Sequence, residues 1–399
     1  MKNHIHQLYE IAHKPYRNII GLMSGTSLDG LDIAYCQIHN SGIDTKLVLK
    51  HFITIPYDED FKNAIRKIFA KRQIDLQDLC ILNPYIGLKH GEMIVEAMKQ
   101  WGLTNQDVDV IASHGQTIFH APKKQHQLRA FPNSTLQIGD GDHIAVTTGI
   151  ITLSDFRQKH IATGGEGAPL AVYGDYYLFS TREEDRILLN MGGIANFTYL
   201  ATDQNSQTVF TTDTGPGNTL IDAYMRRYFH LPFDENGAAA AKGTVNEKLL
   251  DILKNHPFFT NSFPKTTGPE LFNLDYVSDA ISKSGLSTLT RNDVIATLTQ
   301  FSASTIVDAI LKVKPEGKSL KLYASGGGAH NLVLMRSIQA LLPDSQVLTL
   351  DTLGVPGDAK EAVLFAVLAN EAIAGTSPLN PESNLGIPNV SMGKISFPN

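Results

Sequence analysis

The segment Phe210-Thr-Thr-Asp-Thr-Gly-Pro-Gly-Asn-Thr-Leu-Ile-Asp-Ala-Tyr224 carries one carboxylate, Asp213, just ahead of a glycine-rich turn. The β-branched and aromatic residues of Val209 to Thr212 predict a strand, and Gly215, Pro216 and Gly217 predict a turn. Leu220, Ile221, Ala223 and Tyr224 then form the apolar face of a helix that Asn218 or Thr219 can cap. Asp213 is therefore expected at the carboxyl end of a strand and beside a helix amino terminus. Open α/β sheets bind ligands at that edge, and unpaired N–H groups attract phosphate there. A carboxylate so placed can take a proton from water, or can do no more than brace the turn. A second acidic residue, Asp29, lies in the turn Ser24-Gly-Thr-Ser-Leu-Asp-Gly30, and a further turn, Gly326-Gly327-Gly328, follows the apolar run Leu320 to Ser325. Strand-end glycine turns with carboxylates predict phosphoryl transfer from a nucleotide: backbone N–H groups meet phosphate oxygens, Asp29 meets Mg2+, and Asp213 acts as base.

The elements that must position these residues follow one grammar used twice. Arg17 to Met23 and Leu31 to Ile38 read as strands around the first turn; Arg186 to Met191 and Ile194 to Leu200 read as strands around Gly192 and Gly193. The repetition predicts an α/β protein of two related domains around an interdomain cleft. The first is expected over 1–150, completed by 370–399, and the second over 151–369. A third strand is expected over Lys46 to Pro56, with helices over 58–71 and 76–101. Val108 to Ser113 reads as a short strand ending in the polar His114-Gly-Gln-Thr117, Asp140 to Thr148 as a helix, Asp275 to Leu311 as a long helical region, and Glu361 to Ala374 as an Ala-rich helix. Gly164-Gly165-Glu166-Gly167 lacks the Lys-Ser/Thr of a phosphate-binding Walker A loop, and no acidic residue follows it as dinucleotide binding requires.

Composition agrees with two cores: 399 residues, 42% of them hydrophobic. The net charge of -6 and the dispersed Lys and Arg give nucleic acid or an anionic membrane no long-range reason to bind. Met1 to Tyr16 lacks the apolar stretch of a signal peptide, and no run approaches the roughly 18 apolar residues of a membrane span. A cytoplasmic location is expected. Cys36 and Cys80 form no CxxC pair and are both expected in the core.

The motifs Gly21-Leu-Met-Ser-Gly-Thr-Ser-Leu-Asp-Gly30, Ser113-His-Gly-Gln-Thr117, Asp155-Phe-Arg157, Gly167-Ala-Pro-Leu170, Asn190-Met-Gly-Gly193, Asp213-Thr-Gly-Pro-Gly-Asn218, Pro264-Lys-Thr-Thr-Gly268 and Ser325-Gly-Gly-Gly-Ala-His-Asn331 span nearly the whole chain. Together they resemble the anhydro-N-acetylmuramic acid kinase family, which shares many of them with levoglucosan kinases. The resemblance implies the actin, sugar-kinase and Hsp70 type of fold, ATP and Mg2+ as cofactors, and a homodimer. It also implies that water opens a 1,6-anhydro sugar while O6 takes the γ-phosphate. By the same resemblance Asp213 is the general base. Ser24, Gly25, Thr26, Ser27, Asp29 and Gly30 face phosphate, with Asp29 on the metal side. Gly192, Gly193, Gly215, Gly217 and Asn218 complete the nucleotide site, and Gly326, Gly327 and Gly328 lie on its adenosine side. Thr117, Arg157 and Glu361 meet the sugar.

The sequence departs from the family pattern at His160, at Glu166 and over Pro356-Gly-Asp-Ala-Lys360, and around Gly354 to Ala362 it looks closer to the levoglucosan-type relatives. The sugar's identity is thereby left open. A lactyl carboxylate would need a cation, for which Arg157, Lys159 or His160 is available. Two rival readings are a plain sugar kinase that phosphorylates an existing hydroxyl and a non-catalytic nucleotide-gated binding protein.

Overall fold

In a computed structural model of the protein, described over residues 3–205, 208–286, 288–314, 320–375 and 391–399, the apolar run Ile19, Ile20 and Leu22 is fully buried in the first strand, β1 (Tyr16–Ser24). β1 pairs antiparallel with β2 (Gly30–His39), which pairs antiparallel with β3 (Lys46–Pro56). On its other side β1 is parallel to β4 (Val110–Ala121), and β4 is parallel to β6 (Thr152–Ser154). β5 (Ser134–Ile138) adds antiparallel to the far half of β4, and β12 (Lys394–Ser396) closes the edge on β6.

The second sheet repeats this plan. β7 (Asp185–Met191) pairs antiparallel with β8 (Ile194–Leu200), and β8 does so with β9 (Phe210–Pro216). β7 is parallel to β10 (Leu320–Ser325), which is parallel to β11 (Gln346–Thr349). The orders β3-β2-β1-β4-β6 and β9-β8-β7-β10-β11 have the same neighbours and the same strand senses. This is a two-domain α/β protein, as the doubled hairpin predicts, and of the actin, sugar-kinase and Hsp70 type that the family resemblance implies.

The units divide at 179/180 and 353/354 rather than near 150 and 370: the first holds Met1–Phe179 with Gly354–Asn399, the second Ser180–Leu353. Pairing explains the difference. β6 is hydrogen-bonded to β4, which draws the helix Phe156–Ala162 after it into the first unit. The helix Ala171–Phe179 packs on Lys360–Ala374 at Gly174, where a Cβ would lie 2.6 Å from Leu364. Lys360–Ala374 in turn lies against β1 at Gly21, where a Cβ would come within 2.0 Å of the Ala362 carbonyl oxygen. Of the 370–399 segment assigned to the first domain, residues 376–390 lie outside the described residues.

Two further expectations change in detail. The long helical region separates into Leu274–Ser284, ended by Gly285 in the left-handed region, and Arg291–Leu311, opened by a capping box of Thr290 and Asp293. Arg291–Leu311 is long and apolar enough to cross a membrane by length and composition, and most of it is buried in the second unit's core. Cys36 is buried in β2 as expected, whereas Cys80 is exposed on the helix Leu76–Gln100.

Candidate active site

Asp213 lies inside β9, not at its end. The strand continues to Pro216, and the β8–β9 register shifts between Ala195 and Asn196, so Asn196 pairs with Asp213 but Ala195 with Gly215. The extra residue, Thr214, makes a bulge, a device that re-aims neighbouring side chains near active sites. The segment after Phe263 is laid against this part of β9. The Asp213 N–H donates to the Lys265 carbonyl at 3.0 Å, and the Thr267 N–H donates to Asp213 Oδ2 at 2.8 Å. The carboxyl is half-buried, and desolvation raises its pKa above the ordinary aspartate value against the opposing pull of the Thr267 N–H and the Lys265 charge.

The glycine turns of the second unit converge beside it, at the carboxyl ends of the mutually parallel strands β7, β9 and β10. Gly217 and Thr219 donate their N–H groups to the Gly193 carbonyl at 2.9 and 3.0 Å, and Asn218 donates its N–H to that of Gly192 at 2.8 Å. The Asn218 side chain does not cap the helix Thr219–Tyr228; its Nδ2 donates to the Met191 carbonyl at 3.1 Å, clamping turn to hairpin. A Cβ on Gly328 would lie 2.6 Å from that of Met191, and one on Gly217 2.4 Å from the Gly192 carbonyl oxygen. These glycines, with Gly215 and Gly326 at positive φ, are demanded by the fold itself. Gly192, Gly193 and Gly327 are different: a Cβ on each would find its nearest neighbour at 3.7, 3.8 and 3.6 Å, ordinary contact distances. The fold leaves room for side chains there, and a ligand phosphate or ring could use the space.

In the first unit the Ser24–Gly30 turn is tied down from below. Ser24, buried, donates to Gln116 Oε1 at 2.5 Å and accepts from the Tyr57 hydroxyl at 2.8 Å; Tyr57 in turn meets Nε2 of buried His90 at 2.9 Å. Burial lowers the His90 pKa to about 4, so the ring is neutral and the chain runs one way, from His90 through Tyr57 and Ser24 to Gln116, whose Nε2 reaches the Gly25 carbonyl. Leu28 sits at φ 60, costing about 1 kcal/mol for a non-glycine residue, and is held there by its buried side chain. Thr26, Ser27 and Asp29 are exposed above this base.

Asp29 acts electrostatically on Asp32 of β2, which Asp358 also faces; desolvation first, and then these two charges, raise the Asp32 pKa against its hydrogen bond from Thr54. Among the described residues no three His, Cys, Asp or Glu side chains gather as a metal cage. One or two carboxylates beside a phosphate site suit a Mg2+ that keeps its waters and leans on phosphate oxygens, so the residues fit that ion.

Arg157 and His114 meet in the same unit, and the Glu361 charge acts on Arg157. Arg157 Nε donates to His114 Nε2 at 2.9 Å and Nη1 to the Gly167 carbonyl at 2.7 Å. Burial, aided by the Arg157 charge, lowers the His114 pKa to about 3, so its Nδ1–H donates to the Gly115 carbonyl and the ring carries no proton to spare. Glu361 reaches solvent, yet the protein around it is dense enough for desolvation to raise its pKa, with Asp32 adding to the effect and Lys360 and Arg157 opposing it. Lys360 Nζ is paired at 2.8 Å with buried Asp175 and fixes the start of this helix. Thr117 lies further along β4: its Oγ1 accepts from Gln137 Nε2 at 3.2 Å, and Gln137 Oε1 is buried with no hydrogen-bond partner among the described residues. His114 to Thr117 do not end a strand, because β4 changes partners there: β6 pairs with it as far as Ser113 and β1 as far as Gln116, where pairing with β5 begins.

The family model for anhydro-N-acetylmuramic acid kinase matches residues 17–397. The chain belongs to the anhydro-N-acetylmuramic acid kinase family. It is similar to proteins of that name from Pseudoalteromonas atlantica, 54% identical over 402 residues with all of both chains covered, and Pseudoalteromonas translucida, 51% identical over 399 residues with all of both covered. One from Caldanaerobacter subterraneus subsp. tengcongensis is 39% identical, with 98% of this chain and 100% of that protein covered.

Against that anhydro-N-acetylmuramic acid kinase background, the departures noted in the sequence are local. Glu166 forms an exposed pair with Lys124 at 2.8 Å. His160 is buried, its Nδ1 accepts from the Gly167 N–H at 2.8 Å, and burial lowers its pKa, so it supplies no cation; Arg157 and exposed Lys159 remain. Sequence reasoning passed over Tyr57, His90, Asp32 and Lys265, which stand beside the motifs of this anhydro-N-acetylmuramic acid kinase family member. Only Lys265 had a signal, its place within Pro264-Lys-Thr-Thr-Gly268.

Proposed function

We propose that this chain opens the 1,6-anhydro bond of 1,6-anhydro-N-acetylmuramic acid with water and phosphorylates O6 from ATP, giving N-acetylmuramic acid 6-phosphate and ADP. The observation that carries the reading is Asp213: a half-buried carboxyl with one oxygen held by the Thr267 N–H, in a chain of this family. Asp213 takes the proton of the attacking water. The water oxygen bonds to C1 as the C1–O6 bond breaks, and O6 bonds to the γ-phosphorus as its bond to the β-phosphate oxygen breaks. Such a base contributes roughly 10²- to 10⁴-fold. Gly192, Gly193 and Gly327 give the nucleotide room to approach the backbone, with Gly326 and Gly328 on its adenosine side. Thr26 and Ser27 offer hydroxyls to phosphate or sugar, and Arg157, Thr117 and Glu361 orient the sugar. Mg2+, when bound, would supply charge neutralisation for the phosphates; Asp29, with Asp32 near it, would hold it.

Two measurements test this. Reaction in oxygen-18 water is expected to place label on the product's anomeric oxygen; unlabelled product would leave a plain sugar kinase. Asp213→Asn is expected to keep ATP binding and lose at least about a hundredfold in kcat, and near-normal turnover would remove Asp213 from the role.

A second substrate reading rests on residues 356–360, where Lys360 is committed to Asp175. ADP release with levoglucosan set against 1,6-anhydro-N-acetylmuramic acid decides between them, and the muramic sugar is expected to win by way of Arg157. We further propose a cytoplasmic location, in keeping with the two thiols, and a homodimer, to be read by sedimentation as twice the chain's 43.7 kDa.

A further inference from the structure

Lys265 is an ammonium in an aromatic box. It is 8% exposed, with Nζ 4.2 Å from the ring centre of Phe258, 5.5 Å from Phe263 and 5.7 Å from Phe259, and it donates to the Phe258 carbonyl at 2.9 Å. No carboxylate pairs with it within ion-pair distance among the described residues. Its backbone grips β9 beside the proposed base: the Lys265 N–H donates to Thr212 Oγ1 at 3.0 Å, and its carbonyl accepts the Asp213 N–H at 3.0 Å.

Two charged groups bear on this charge, Lys312 and Asp213, and the titratable His256 stands on the same turn. Lys312, past the end of Arg291–Leu311, donates to the Phe259 carbonyl at 2.8 Å and lies 5.6 Å from the Phe263 ring; it repels Lys265. His256, on the turn beneath, accepts the Phe258 N–H on Nδ1. Asp213 attracts it. A cation in a desolvated aromatic site acts at longer range than one in water, because little solvent screens it.

From this placement we infer that Lys265 is a positioning residue for the reaction: clamped in its box, it fixes the path of the 264–268 segment that holds Asp213 and keeps a positive charge beside it that favours its ionised form. The inference rests on Asp213 being the base. Burial, with Lys312, lowers the Lys265 pKa to about 8, so the amine is largely charged at neutral pH, the condition the role requires.

Three substitutions test it. Lys265→Met fills the box without charge, Lys265→Gln keeps a donor for the Phe258 carbonyl without charge, and Lys265→Arg keeps a charge that stacks on rings. Loss of the cation leaves burial of Asp213 less opposed. The acidic limb of kcat/KM, and the carboxyl carbon-13 titration that Asp213→Asn abolishes, are expected to move up by about half a pH unit or more in the Met and Gln variants and to return in the Arg variant. KM for ATP should hardly change. An unmoved limb and titration in folded Met or Gln variants, with Asp213→Asn inactive, overturns the inference alone; failure of both to fold makes Lys265 structural and overturns it too. Near-normal turnover of Asp213→Asn fells the base assignment, and this inference with it.

Discussion

At the scale of single residues, the Asp213 carboxyl illustrates how a reactive group is held against its own solvation. Its pKa is raised in the folded chain, so between the unfolded and folded values the native state binds more protons than the unfolded one, and stability falls as pH rises through that window. At neutral pH the ionised carboxylate is a net cost. Asp213→Asn, whose carbonyl oxygen can still accept from Thr267, is therefore expected to melt at or above the wild-type temperature near pH 7. The difference should vanish when both titrations are complete at low pH. Calorimetry across pH 3 to 7, an interval set by the ordinary aspartate pKa of about 3.9, reads this, and a variant less stable than wild type near pH 7 contradicts it. The glycines separate in the same manner. Gly327→Ala has space for its methyl group and should fold normally while weakening ATP binding, whereas Gly217→Ala meets the Gly192 carbonyl and should lower the melting temperature.

At the scale of elements, Lys360–Ala374 is the piece on which much of the first unit depends. It rests on β1 through Gly21 and on Ala171–Phe179 through Gly174, and it carries Glu361 at its start. A methyl group at Gly21 would have to push this helix off the sheet; Gly21→Ala is expected to cost about 3 kcal/mol, the upper end of usual overpacking, in urea unfolding. The chain from His90 through Tyr57 and Ser24 to Gln116 is the comparable device beneath the Ser24–Gly30 turn. Tyr57→Phe removes its middle link and leaves buried partners unsatisfied, for about 1 to 3 kcal/mol of stability. KM for ATP is expected to rise with it, since the turn loses its support. An unchanged KM would make the chain a matter of stability only.

At the scale of the molecule, the repeated strand order gives each unit a set of parallel-strand ends where glycine turns and carboxylates collect. Ligand binding should then be visible as added stability of the whole chain. A non-hydrolysable ATP analogue with Mg2+ at a hundred times its Kd is expected to contribute about 2.7 kcal/mol. Asp213→Asn should show the same gain, because its defect is in chemistry. Absence of any thermal shift in both proteins would count against the nucleotide site.

The doubled hairpin, the strand-end glycine turns and Asp213 were legible in the sequence because they are local: alternating apolar residues, glycines and a polar residue within about ten positions state a strand and its turn. The domain limits were not, since β6 and Lys360–Ala374 join the first unit through pairing and packing with residues far away in sequence. Nor could periodicity foresee that β4 changes partners beside His114, or that β9 bulges at Thr214 and carries on past Asp213. The sequence by itself thus determined the family to which the chain belongs and which residues stand in its motifs. Tertiary structure decided what surrounds them: the aromatic box of Lys265, the neutral His114 and His160, and the raised pKa of Asp213 and Glu361. These are properties of burial and of long-range neighbours, and desolvation has no signature in a short stretch of chain.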